Sequence, residues 1–383
     1  MATVYDNVRA DRAQLHALVI GVGEYPHLAA GDAPNTLGLP PVASPPVSAR
    51  LVGEWLLDAG GCAGAELGSI EFCASAGQRL NGADSSPADI ASITNAVDAW
   101  SRRCDADAEQ VGFFYFCGHG IEPLGETVLL ANDFGSRPGA MWHGLINFTR
   151  TFDGMAGCKA RRQYYFVDCC RQAASAAALD PSFSPAVLAG YGRGAPHKPG
   201  DQPRCRPIYY STVPGSSAYA PAAALPSVYC DFLLDCLRKG TGTRFDGEHQ
   251  VWNVTADSLG TALRALLYDA NGIGGDQGGE APHGASVLFN YDGDPVVKVR
   301  VAIAPAGGAG TADLSATSVA APALEPVRGT VNVDTWLLEL WPGDWKLVAD
   351  FPATHGSYRR TERSASRIWP PLYTCPFTLN VVT

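Results

Sequence analysis

The apolar and polar positions fall into two regimes along the chain. From residue 14 to about 292, short apolar runs alternate with longer stretches of helical period. His16–Val22 (HALVIGV), the run SIEFCAS from Ser69, Val111–Cys117 (VGFFYFC), QYYFVDC within Arg162–Cys169 and PIYYST at Pro207–Thr212 are continuous and rich in β-branched and aromatic residues. That pattern predicts strands buried on both faces. Shorter strands are predicted at TVLLAND and at ASVLFNY, near Tyr291. Leu51, Val52, Trp55 and Leu56 share one helical face, and Gly60-Gly61 end that helix. A second helix is predicted to begin with Ser86 as N-cap, Pro87 at the first helical position and Asp89 at the positive end; Ile90, Ile93, Val97 and Trp100 form its buried stripe. Two further helices are predicted near Ser227–Lys239 and Thr255–Asp269. Strands alternating with helices imply an α/β fold: a mostly parallel central sheet with helices on both faces.

Near residue 295 the pattern changes to strand-like alternation. PVVKVRVAIA reads as a strand, and Ala304–Pro326, rich in Ala, Gly and Pro, as a linker or long loop. DTWLLELWPGDWKLVADF alternates around Pro-Gly and predicts a hairpin, and CPFTLNVVT supplies a last strand. The expected organisation is therefore a domain at 1–294 followed by a small β-sandwich-like domain at 295–383. There is no internal repeat.

Composition narrows the function. The 383 residues are 46% hydrophobic and 17% charged, enough for a well-buried core. A net charge of −10 argues against nucleic acid or an anionic membrane as main partner. No apolar run approaches the roughly 18–20 residues that span a bilayer. The opening MATVYDNVRADRAQ has no apolar signal core, so a cytoplasmic location is expected. The 11 cysteines include no Cys-x-x-Cys pair, which removes zinc-ribbon and thioredoxin-type sites. Gly21-Val22-Gly23 follows a strand, but the third glycine of a dinucleotide fingerprint would fall at Pro26. His143 and His283 lack metal-ligand spacing and read as surface groups. Neither a metal nor a cofactor is expected.

The candidate chemistry lies at two strand ends. In mostly parallel sheets, ligands bind beyond the C-terminal ends of the strands. His119, between Gly118 and Gly120, follows one predicted strand, and Cys170 follows another. A thiol needs a base to take its proton and N–H groups to hold the oxyanion. Histidine supplies the first, and glycine-flanked backbone the second.

At these residues the sequence resembles the caspases. Their signature, Gln-Ala-Cys-x-Gly with a histidine about 50 residues upstream, is matched by Asp168-Cys169-Cys170-Arg171-Gln172 with His119 placed 51 residues before Cys170. The Asp-x-Cys form is closer to metacaspases and bacterial caspase-like proteins. Tyr210-Ser211-Thr212-Val213-Pro214-Gly215 resembles the loop that opens the caspase substrate groove, and the helix SVYCDFLLDCLRK follows it as in that family. The resemblance spans roughly residues 14–292.

It implies a caspase-hemoglobinase-like fold and a cysteine endopeptidase. Cys170 would be the nucleophile, His119 the general base and acid, and the N–H groups of Gly120 and Cys170 the oxyanion hole. Ser217, Ala218, Tyr219 and Ala220 would pair with the substrate backbone. The arginine of the caspase Ser-Trp-Arg sequence is absent from this stretch, so cleavage after Asp is not expected. Metacaspases hold a basic P1 residue (the residue before the cut) with the acid two positions before the cysteine, here Asp168. At the place of their second acid, on the first helix, stands Val47-Ser48. Cleavage after Arg or Lys is expected from Asp168, and the missing second acid counts against it. Arg193, Lys198 and Arg204 become self-cleavage candidates, and Cys169 is read as packing. The expected partners are a protein or peptide substrate and a regulatory protein bound through 295–383. The rival reading is a catalytically silent scaffold of the same fold acting through its tail.

Overall fold

The computed structural model describes residues 2–27, 41–62, 64–75, 77–137, 139–140, 142–172, 180–191, 204–215, 225–270, 286–305, 308–332, 334–351 and 357–382. By contact these residues form two units, Met1–Leu234 with Leu267–Leu288, and Asp235–Leu266 with Phe289–Thr383. Residues 295–383 lie wholly in the second unit. Residues 235–266 and 289–294, expected with the first domain, group with it.

The first unit is built on a sheet whose principal strands are β1 (Thr3–Asp6), β2 (Gln14–Gly21), β3 (Ala65–Ala74), β4 (Val111–Gly118), β5 (Arg162–Cys169) and β6 (Ile208–Tyr210), in the order β1-β3-β2-β4-β5-β6. All neighbours pair in parallel except β1, which runs antiparallel to β3. Helices cover both faces, and two consecutive phenylalanines on β4 reveal this. Side chains of successive strand residues point to opposite faces. Trp55 of α1 (Ser44–Ala59) packs on Phe113, with ring centroids 6.0 Å apart, and Trp100 of α2 (Ile90–Cys104) packs on Phe114 at 6.1 Å. The expected mostly parallel α/β sheet, helix-covered on both sides, is what the chain forms.

α1 ends as expected: Gly60 adopts a left-handed φ of 65° and donates its N–H to Leu56 O. The start of α2 differs from expectation. Its N-cap is Asp89, whose carboxylate accepts the Ser92 N–H at 2.7 Å. Ser86 is already committed elsewhere, because its N–H donates to Phe72 O and its carbonyl accepts from Ala74 N, extending the edge of β3. Either residue can cap a helix; the backbone pairing of Ser86 decided between them.

Two of the sheets in the second unit share one apolar core. β7 (Val297–Ala304), β9 (Thr335–Leu340) and β12 (Leu372–Thr378) lie in one with Thr330–Asn332; β8 (Asp313–Ser318), β10 (Gly343–Asp350) and β11 (Thr361–Ile368) form the other. Val297, Val299, Val301, Trp336, Leu338, Trp345 and Leu347 meet between them. The hairpin expected at Trp-Pro-Gly does not form. β9 pairs with β7, and β10 with β8 and β11, so the turn carries the chain from one sheet to the other. Alternation tells which face of a strand is apolar. It does not tell whether the next strand lies beside it or across the core, because both place Trp336 and Trp345 inside.

Candidate active site

β4 and β5 pair residue for residue from Val111↔Arg162 to Gly118↔Cys169, a constant offset of 51. Beyond the strand ends the same offset returns, in the bridge Ile121↔Gln172. His119 and Cys170 share it. The spacing noticed in the sequence is thus the pairing register of the two strands, whose last paired residues, Gly118 and Cys169, immediately precede His119 and Cys170. His119 is buried and Cys170 half-buried.

Gly120 is required by this crossing. A Cβ there would lie 2.6 Å from Cys169 Sγ and 2.8 Å from Cys170 O. The segment continues as a short strand, Gly120–Ile121, pairing with Val128–Leu130, and His119 O accepts from Leu130 N at 3.1 Å. Cys169 is 1% exposed and belongs to the apolar core. Burial, with the Cys170 side chain adjacent, pushes its thiol well up, as suits packing rather than chemistry.

Arg171 clamps the Cys170 turn. Its guanidinium pairs with Glu122 at 2.8 Å, with both side chains largely buried, and stacks 4.1 Å from the Tyr210 ring centroid. Its carbonyl accepts from Gly215 N, and the Thr212 hydroxyl donates to Cys169 O at 3.0 Å. The turn carrying Cys170 is therefore tied both to the segment carrying His119 and to the chain following β6. Nothing in the sequence marks Glu122 and Arg171 as partners. Arg171 fell inside the signature and Glu122 three residues past the histidine, but an ion pair between two loops has no sequence period.

Asp168 faces the α1 side, as Phe113 does. Its carboxylate, 3% exposed, accepts from the Ser227 hydroxyl and from the Cys117 thiol at 3.2 Å. Ser227 is held in turn by Ser48 of α1, whose Oγ accepts the Ser227 N–H at 2.9 Å. The position of the second family acid thus reaches Asp168 through hydroxyls rather than through another charge. Burial raises the Asp168 carboxyl above the usual aspartate range, against the lowering effect of these hydrogen bonds.

Ser217, Ala218, Tyr219, Ala220, Arg193 and Lys198 lie outside the described residues. Arg204 is exposed, but its guanidinium donates to Cys158 O at 2.7 Å, and Cys205 pairs with β5, its carbonyl accepting the Gln163 N–H and its own N–H donating to Arg161 O just before the strand. His143 is not a free surface group: it is half-buried and bonded to Asp133 at 3.1 Å. His283 lies outside the described residues. Among the described residues no group of three or more His, Cys, Asp or Glu could hold a metal ion, and no helix is long and apolar enough to cross a membrane.

The family model of the caspase domain, peptidase C14, matches residues 69–264, just over half of the chain and including His119, Asp168 and Cys170. The chain belongs to the caspase-domain family. An uncharacterized protein of Sinorhizobium fredii (strain NBRC 101917 / NGR234), y4kE, is 32% identical over 106 residues, covering 28% of this caspase-family chain and 30% of that protein. The caspase-domain match supports a cysteine peptidase reading.

Proposed function

We propose that this chain is a cysteine endopeptidase that cleaves after Arg or Lys. Cys170 attacks the scissile carbonyl, and His119 takes the thiol proton and returns it to the leaving amine. The N–H groups of Gly120 and Cys170 hold the oxyanion, and Ser217–Ala220 pair with the substrate backbone. Water then hydrolyses the thioester, and no cofactor is needed. The observation that supports this reading is the shared offset of 51, which pairs β4 with β5 as far as Gly118↔Cys169, just before His119 and Cys170, and returns at Ile121↔Gln172. The preference for a basic residue rests on Asp168. The groups that hydrogen-bond to it, hydroxyls and a thiol, are all neutral, so a cationic side chain would supply a counter-charge. A panel of fluorogenic peptides differing only at P1 tests it. Turnover confined to Arg and Lys is expected, and equal turnover of Asp or Leu peptides would overturn the specificity.

Self-cleavage should follow Arg193 or Lys198 and spare Arg204. A substrate must lie extended in the groove, and Cys205 is already paired with β5. Intact mass of wild type after incubation, against Cys170→Ala, reads this directly. A fragment beginning at Cys205 would contradict it.

Residues 295–383 are proposed as the surface for a regulatory protein. They carry an apolar core of their own within the second unit and are separate from the proposed dyad in sequence.

A further inference from the structure

The N–H of His119 needs a partner that the sheet no longer provides. β2 and β4 pair only as far as Gly21↔Cys117, and Val22 N donates to Cys117 O as the last rung. Beyond that rung β2 ends, and the next N–H of β4 on that side would be buried without an acceptor. Tyr25 fills the gap. Its phenol oxygen accepts the His119 N–H at 2.8 Å and donates to Val22 O at 3.1 Å, replacing the missing strand with one hydroxyl. The phenol is 2% exposed, and burial raises its pKa far beyond the ordinary tyrosine value, so it stays protonated and able to donate. The ring also lies 4.8 Å from the imidazole centroid, tilted by 40°. Gly118 makes room for this packing: a Cβ there would lie 3.0 Å from each of the Tyr25 hydroxyl, Val22 O and the Phe116 ring.

We infer that Tyr25 is a positioning residue that fixes both the backbone and the ring of His119 against Cys170. The inference rests on the proposed dyad. The phenol holds the residue before Gly120 at one depth, and the ring limits the imidazole to one side. Small displacements of a base from its thiol cost rate steeply. The glycine before His119 is thereby explained by tyrosine placement, separately from the glycine after it, which is explained by Cys169.

The test reads the reactivity of Cys170 itself. Wild type, Tyr25→Phe and His119→Ala are alkylated with iodoacetamide across pH 5–9, and modification of Cys170 is followed by peptide mass, so the other cysteines do not interfere. Tyr25→Phe keeps the ring and removes the hydroxyl. It is expected to slow Cys170 alkylation near pH 7 by about tenfold, with a smaller deficit at the alkaline end of the range, where thiolate forms without a base. On a basic peptide it should lower kcat by about tenfold with little change in KM. Gly118→Ala, which crowds the same hydroxyl, should reproduce the shift if Tyr25→Phe folds poorly. If His119→Ala leaves the alkylation profile of Cys170 unchanged, the dyad itself is wrong. If His119→Ala shifts the profile and a folded Tyr25→Phe does not, the dyad stands and the role of Tyr25 is refuted.

Discussion

Cys170→Ala will abolish turnover of an arginyl peptide, a loss of about 10⁴-fold or more, while Cys169→Ala will leave kcat within a few-fold of wild type. The two thiols are neighbours in sequence and opposite in environment. Cys169 is in the core with its sulfur against Gly120, and Cys170 is half-buried at the strand end. Removing a covalent nucleophile leaves only binding and oxyanion stabilisation, hence the size of the effect. His119→Ala should behave differently from Cys170→Ala. At pH 7 it should cost about 10³-fold, because the unassisted thiol is mostly protonated. As pH rises, more thiolate forms without help and part of the activity should return. Cys170→Ala should show no such recovery. Initial rates of the four proteins from pH 6 to 9 make the comparison. Activity that survives loss of Cys170, or that disappears with Cys169, would transfer the chemistry to another residue.

The second large effect is expected at Asp168. Asp168→Asn keeps the size and hydrogen-bonding capacity of the side chain and removes its charge. If the carboxylate grips a basic P1 residue, kcat/KM for arginyl peptides should fall about 10- to 100-fold, since a charge-assisted hydrogen bond contributes about 1.5–3 kcal/mol. Peptides with a neutral P1 residue should be affected far less. The pH dependence has a definite sign. Burial raises the Asp168 carboxyl above its usual value, so on acidification it takes a proton at a higher pH than an exposed aspartate would. KM for arginyl peptides should therefore rise as pH falls through that raised value, and Asp168→Asn should lose this limb. The same shift acts oppositely on stability: protonation is favoured in the folded state, so the contribution of this group to stability is present at low pH and lost as pH rises through the raised value. Equal losses for arginyl and neutral peptides in Asp168→Asn would make Asp168 a structural carboxylate.

Ser48 bears on the magnitude. It stands where metacaspases carry a second acid, and it reaches Asp168 through Ser227. A groove with one buried carboxylate should hold a basic residue less tightly than one with two. The Ser227 hydroxyl and the Cys117 thiol restrain Asp168 but add no charge.

Much of this protein was legible in its sequence because the deciding forces are local or periodic. Continuous apolar runs such as VGFFYFC and QYYFVDC can only be buried on both faces, and that alone specifies a helix-covered sheet. The interval between His119 and Cys170 was readable for a deeper reason. Parallel neighbours in constant register convert a sequence spacing into a spatial one, and the offset of 51 persists from Val111↔Arg162 to Ile121↔Gln172. What only the tertiary structure decided were choices between equally satisfactory local options. Asp89 rather than Ser86 caps α2 because the backbone of Ser86 was taken by the edge of β3. The chain at Trp-Pro-Gly crosses between sheets, because alternation fixes which face is buried and not which strand lies alongside. Tyr25, Glu122, Arg171 and Ser227 hold the proposed site through single long-range bonds. Such bonds have no period and no spacing rule, so they appear only once the chain is folded.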